Sequence, residues 1–451
     1  MKMVCCCCSY KRNRGKCKLV LLTSSLCIIT WIILYDQIDD TLNDGNKHGY
    51  LLGDAGGILD HQGNIDIAQD HHNKAMKSYV TVKPSDGENL AKRLNTKCSN
   101  YLSKLPKRHA NFPVTTNLEY KIMFCPMCKL ASTYWTRFFK LLEVYKKNSS
   151  ISTPYDIPLK KAPPTKQRLT ILTGDKNTNF ESHYKFLFVR DPYARILSAY
   201  VDKLFAPNPF FWKSLCRKMI NLFRNEGEYK APCGSDLQFK EYIKSINTAH
   251  TRLYNRGTVD CHDETFTGAC HPCEVQYDFV GKMENFSSDS THIFKKLQLT
   301  RSIEALQNKG KQLADDDALN DTVTSPFLWK NEIKTCIPWH EALNRIWKKL
   351  QIRGVIGKQP LSLTADEAEH ITQQEFLDLI KQTQKLTSYE ERKKQRHDAL
   401  IEIYSQVDQN DLEMLKKSFK DDFELFEYDI SPSYIFNDRM KTVDYYGYLE
   451  L

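Results

Sequence analysis

Lys129, Ser132, Thr133, Arg190, Ser198 and His262 are the side chains of this 451-residue sequence whose types and spacing could do chemistry. Residues 121–137, KIMFCPMCKLASTYWTR, read as a short strand, a tight turn, and a helix opening with Lys129, Ser132 and Thr133. Free N–H groups and the dipole at a helix start attract anions. Lys129 adds a point charge and the hydroxyls add hydrogen bonds. Alone, the segment reads equally well as a helix start beside an exposed lysine. The GxxxxGK[ST] pattern is absent, which argues against a nucleoside triphosphatase.

A second junction spans residues 184–205, YKFLFVRDPYARILSAYVDKLF. Phe186 to Val189 form the apolar run of a strand buried on both faces. Asp191 suits a helix cap and Pro192 a first turn. Ile196, Ala199, Tyr200 and Lys203 then recur at helical spacing. Arg190 thus falls at a strand's C-terminal end, where open α/β sheets place ligands, and Ser198 lies two helical turns on.

The elements that must position these groups alternate. Strands are expected at 121–125, 169–173 and 277–281, and helices at 130–145, 239–246 and 390–419. The pattern predicts an α/β domain with a largely parallel sheet. Residues 154–164 read as a loop. Residues 299–385 are polar and hard to assign, with Asp315 to Asp317 expected in a loop.

Together the two junctions resemble the paired nucleotide-binding motifs of sulfotransferases. KLASTYW from Lys129 resembles the family's 5′-phosphosulfate loop, and RDPYARILSAYVDK from Arg190 its 3′-phosphate motif, with Arg and Ser in register. Residues 270–285, CHPCEVQYDFVGKMEN, and 421–428, DDFELFEY, resemble elements of the membrane-bound Golgi carbohydrate sulfotransferases. The group most similar acts at the 4-O position of N-acetylgalactosamine in chondroitin and dermatan, and includes glucuronyl 3-O-sulfotransferases.

The resemblance implies a P-loop-like sulfotransferase fold with a central, mainly parallel sheet flanked by helices, plus an N-terminal transmembrane helix. It implies 3′-phosphoadenosine 5′-phosphosulfate as donor, no metal, and a glycan acceptor. Lys129 would stabilise charge on the departing phosphate, Ser132 and Thr133 would bind that phosphate, and Arg190 and Ser198 would hold the 3′-phosphate. Trp135 would pack near the adenine or in the core. His262, eight residues before Cys270, matches a family histidine and is the candidate base, although Asp263 stands where relatives carry tryptophan. An exposed loop histidine is the plain alternative, and Glu264 is a fallback base. His250 and His340 fall in no motif. Arg195, Lys203, Arg252 and Arg256 are cations that could meet an anionic chain, without an assigned site. A glycan-binding protein that kept the fold but lost catalysis is the rival reading.

Nine cysteines follow residue 36. The CxxC pairs at Cys125–Cys128 and Cys270–Cys273 could mean zinc, but they lie much further apart than the roughly 15–20 residues of a zinc ribbon. The arrangement His262, Glu264, Cys270, Cys273 also lacks the proline of the zinc deaminases. Disulfides are the preferred reading, with at least one cysteine left over and the connectivity open.

The net charge is +9. Lys2, Lys11, Arg12, Arg14, Lys16 and Lys18 supply six of those charges, leaving +3 for the rest. That balance gives no argument for nucleic-acid binding. Residues 19–35, LVLLTSSLCIITWIILY, are uncharged and at the short end of a membrane span. The basic flank predicts a cytosolic tail over 1–18, an uncleaved anchor over 19–35, a luminal stem over 36–110 and a catalytic domain over 111–451. The expectation is a single-pass type II Golgi membrane protein, with a homodimer possible. Cys5 to Cys8 and Cys17 suit palmitoylation. Asn148, Asn285 and Asn320 begin N-x-Ser/Thr sequons.

Overall fold

The computed structural model describes residues 85–103, 109–158, 166–172, 181–225, 227–252, 260–437 and 443–451. The expected anchor over 19–35, the juxtamembrane cysteines and Arg256 lie outside these residues. Among the described residues, no helix is long and apolar enough to cross a membrane.

The apolar run before Arg190 forms the strand on which the sheet is built. The sheet has five strands: β1 (His109–Asn117), β2 (Ile122–Phe124), β3 (Lys166–Leu172), β4 (Tyr184–Val189) and β5 (Phe279–Lys282). Their order is β3-β1-β2-β4-β5. β4 runs parallel to β2 and β5, with Phe124 opposite Phe186 and Gly281 opposite Phe188. Phe186 to Val189 are at most 1% exposed, as a strand covered on both faces requires. A Cβ on Gly281 would meet the Phe188 ring at 2.5 Å, so the position needs glycine.

The sheet is mixed rather than mainly parallel. β1 returns into β2 through a tight turn at residues 118–121 and pairs with it antiparallel, and β3 adds antiparallel to β1. A turn this short can join only antiparallel neighbours. The domain is otherwise helical. Helix α1 (Gly87–Leu102) lies in the expected stem, but it buries Leu90, Ala91, Leu94 and Cys98 against the sheet domain. A disulfide joins Cys98 to Cys273. The folded part therefore begins before residue 111, within the expected stem.

Helix α2 (Ser132–Val144) follows β2, and helix α3 (Pro192–Ala199) follows β4. α3 runs into a π-helical turn over Tyr200–Phe205. The expected short helix is α4 (Phe239–Arg252), and α5 (Phe266–Cys270) precedes β5. Asp315 to Asp317 lie inside a 29-residue helix α6 (Thr300–Leu328), not in a loop. Arg137 reaches Asp317 at 2.6 Å, so part of this acidic run answers a charge on α2. Helix α7 (Trp339–Ile352) follows. The expected helix over 390–419 divides into α8 (Tyr389–Ser405) and α9 (Gln409–Ser418), and α10 (Lys420–Phe426) carries the DDFELF residues.

Two apolar cores result. One surrounds the sheet with α1 and α2; the other joins α3, α4, α7, α8 and α9. Arg190 stands where β4, in the first core, passes into α3, in the second.

Candidate active site

The turn between β2 and α2 is a strained loop held by covalent bonds. Lys129 has φ 67° and Ala131 has φ 54°, left-handed values that cost a non-glycine residue about 1–2 kcal/mol each. Such strain persists only where the surroundings over-determine it. Here Cys125 is bonded to Cys270 and Cys128 to Cys261. Ala131 occupies the N-cap of α2 without a side-chain cap bond. The first-turn N–H groups are therefore left for another acceptor. Lys129 sits in the turn just before the helix, while Ser132 and Thr133 open it.

Lys129 Nζ lies 2.7 Å from Asp202 Oδ2. The other oxygen of Asp202 lies 2.6 Å from Lys349 Nζ on α7, and Lys203 approaches at 3.2 Å. Burial lowers the Lys129 pKa to about 8, against the opposing pull of Asp202. Burial also lowers Lys349. Burial alone would raise Asp202; Lys349, Lys129 and Lys203 together outweigh it and hold the carboxyl well below its ordinary value. Asp202 is thus the carboxylate shared by Lys129, Lys349 and Lys203. Asp202 lies four residues after Ser198, so a helical projection of the second motif could have found it. The π-helical turn alters that projection locally. Lys349 had no signal, because it comes from the stretch that resisted assignment.

Arg190 is half-buried at the end of β4. Among the described residues no hydrogen bond occupies its guanidinium, nor the hydroxyls of Ser132, Thr133 and Ser198. Burial lowers the Arg190 pKa, while Glu284 raises it. Arg353 and Arg396 also act on it as like charges. Glu284 itself accepts the Asp191 N–H at 3.0 Å and the Tyr428 hydroxyl at 2.9 Å. Asp191 caps α3 by accepting the Ala194 N–H at 2.8 Å. Unspent donors in a partly desolvated, cationic setting fit a phosphate dianion.

The disulfide between Cys128 and Cys261 brings the two halves of the site together. Its Cα atoms are 5.6 Å apart, and Lys129 and His262 are the next residues on each side. His262 Nδ1 bonds to an Asp260 carboxylate oxygen, which also accepts the His262 N–H at 3.0 Å. With Nδ1 engaged, Nε2 is the nitrogen left for a proton transfer. The ring edge faces Phe211 at 5.7 Å between centroids, and Lys203, Phe211, Asp260 and His262 line one small hollow. Asp260 was missed, although a carboxylate two residues from a candidate base was visible in the sequence.

Other expectations resolve differently. Trp135 is fully buried between Phe124, Phe186 and Phe188, a core residue rather than an adenine shelf. Glu264 turns one carboxylate oxygen to the Thr265 N–H at 3.0 Å. Arg195 is fully buried, so it cannot meet an acceptor chain. His250 bonds to the Asp263 carbonyl at 3.0 Å and His340 to the Leu363 carbonyl at 2.9 Å. Asp263 meets the Tyr242 hydroxyl, and burial pushes its pKa up to about 6. Cys128, Cys261 and His262 cluster closely enough to suggest a metal, but both sulfurs are spent in the disulfide. Cys233 pairs with Cys336, and Cys216 is free and buried.

Each of the two strand–helix junctions of this α/β domain thus carries a cation and one or more unbonded hydroxyls, a setting suited to an anion. The sequence pattern of the sulfotransferase family matches residues 113–348, just over half of the chain, and the chain belongs to that family. It is 30% identical over 182 residues to carbohydrate sulfotransferase 11 of Rattus norvegicus, covering 39% of this chain and 50% of that protein. It is 23% identical over 263 residues to carbohydrate sulfotransferase 12 of Mus musculus, covering 52% and 62%. With carbohydrate sulfotransferase 9 of Homo sapiens the identity is 27% over 214 residues, covering 47% and 46%. The chain thus spans about half the length of the curated relatives it matches. No solved structure matches it.

Proposed function

We propose that the protein is a carbohydrate O-sulfotransferase that moves a sulfuryl group from 3′-phosphoadenosine 5′-phosphosulfate to a glycan hydroxyl, with the 4-O position of N-acetylgalactosamine in chondroitin- or dermatan-like chains as the favoured acceptor. The observation that carries the reading is the juxtaposition of Lys129 and His262 across the Cys128–Cys261 disulfide. It supports placing a cation for the leaving phosphate beside a base for the attacking hydroxyl.

In this reading Arg190 and Ser198 bind the 3′-phosphate, the arginine through its fork of donors. Ser132, Thr133 and the uncapped N–H groups of α2 bind the 5′-phosphate. The acceptor oxygen attacks sulfur while the bond from sulfur to the phosphate oxygen breaks, and the nucleotide leaves as the 3′,5′-bisphosphate. Lys129 moves from Asp202 to that phosphate oxygen and stabilises its growing charge. Lys349 and Lys203 keep Asp202 ionised behind it. His262 Nε2 takes the hydroxyl proton, and Asp260 stabilises the resulting imidazolium. The favoured location is the Golgi lumen, behind the anchor expected at 19–35. No metal has a role in these steps.

Retention on immobilised adenosine 3′,5′-bisphosphate tests the donor half. The protein should be retained, and Arg190→Ala should weaken retention by about 10–100-fold, the loss expected for charge-assisted hydrogen bonds. Absence of retention would remove the reading, and unchanged retention of Arg190→Ala would remove the site assignment.

A further inference from the structure

The buried charges beside the site have a purpose that donor binding does not explain. Arg195 lies on α3 between Arg190 and Ser198, yet it is 0% exposed. Its Nη1 donates to the Cys261 carbonyl at 3.5 Å and its Nη2 to the Glu264 carbonyl. The guanidinium lies over the Phe266 ring, 5.0 Å from the centroid, and 6.0 Å from that of Phe419. Asp422 on α10 is also 0% exposed. It accepts the Phe266 N–H at 2.8 Å and the Thr267 N–H at 3.0 Å. Both residues thus grip the main chain of one segment, 261–267, and that segment carries His262.

Burying a charge is costly unless it is paired and hydrogen-bonded. A segment of this size could be packed with apolar side chains at no loss of stability. What apolar packing cannot do is fix the main chain in orientation, as a planar fork on two carbonyls and a carboxylate on two successive N–H groups do. We propose that Arg195 and Asp422 are positioning residues: Arg195 locks the His262 segment to the donor-binding helix α3 and Asp422 braces the same segment from α10, so that the base is held in register with the 3′-phosphate site. The proposal rests on His262 being the base. It also gives the DDFELFEY residues a task near the reaction, although they lie about 160 residues beyond His262 in sequence.

The test is a double-mutant cycle on the full chain, using labelled donor and a desulfated chondroitin acceptor. Arg195→Lys keeps the charge but cannot span two carbonyls, and Asp422→Asn keeps the shape but only one acceptor oxygen. Each should lower kcat by about 10–100-fold, the scale of a misplacement of about 1 Å. Donor KM and retention on the immobilised bisphosphate should stay within about twofold. In a His262→Ala background, Arg195→Lys should cost less than about twofold more, because it acts through the missing base. Losses that multiply, or a donor affinity that falls in step with kcat, would overturn the clamp while leaving the base reading intact. A fully active His262→Ala would remove both. Should Arg195→Lys fail to fold, Asp422→Asn in the same two backgrounds decides the question.

Discussion

Lys129 shows how a single residue's setting determines its chemistry. Its lysine type and its place before a helix were legible, but its Asp202 partner and its burial were not. Burial sets its pKa at about 8, and Asp202 is the main influence holding it up. The ammonium form is the one that can stabilise a leaving phosphate. The kcat/KM for donor, which reports the free enzyme, should therefore fall as pH rises through about 8. Asp202→Asn removes the group that favours the ammonium, so the fall should move to lower pH. A pH–rate profile of both proteins checks this, and an unmoved alkaline limb would show that Lys129 is not the group titrating. The places of Arg190, Ser132, Thr133 and Ser198 at two strand–helix junctions were legible, because they depend on local sequence alone. Arg195 and Asp422 were harder, because their contacts are long-range and no spacing rule encodes them, whereas Asp260 meets His262 only two residues away.

At the level of elements, β2, α2, β4 and α3 were readable from apolar runs that switch period at a polar turn. Helix α1 was not, because its apolar stripe is short and sits in a polar context; Cys98 and the disulfide to Cys273 tie it down. Helix α6 was hidden for the opposite reason. It is long, but it buries only Ser302, Leu319, Thr322, Val323 and Pro326, leaving no continuous apolar face to detect. The parallel core of the sheet followed from the strand–helix alternation, whereas the antiparallel β1 and β3 depended on a strand placed at the edge of the presumed stem. In the proposed function the element that matters most is the cross-linked turn before α2. Cys261→Ser frees the His262 segment from the Lys129 turn. Loss of a native disulfide of this kind costs about 2–5 kcal/mol. Thermal unfolding should record that cost, and sulfate transfer should fall further than retention on the immobilised bisphosphate. Equal losses in the two assays would mean the bond serves stability alone.

At the scale of the molecule, the first 18 residues carry +6, residues 36–84 are acidic with eight Asp against four Lys, and the chain from residue 85 onward carries +7. Asn148, Asn285 and Asn320 are all exposed. A chain that enters the secretory pathway should therefore carry up to three N-linked glycans, and peptide N-glycosidase should shorten it in up to three steps on a denaturing gel. A full chain from secreting cells that shows no shift would argue against a luminal catalytic domain. In the proposed function the two junctions bind the donor, and the surface around His262 and Phe211 meets the acceptor. The central claim is that these surfaces act together in sulfate transfer. Its most direct test is incubation of the purified full chain with labelled 3′-phosphoadenosine 5′-phosphosulfate and a panel of desulfated glycosaminoglycans and N-glycans, followed by disaccharide analysis. The account predicts label at the 4-O position of N-acetylgalactosamine in chondroitin or dermatan, lost in Lys129→Ala and His262→Ala. Retention of the nucleotide with no labelled glycan in the panel would contradict it and leave a glycan-binding protein on a sulfotransferase fold.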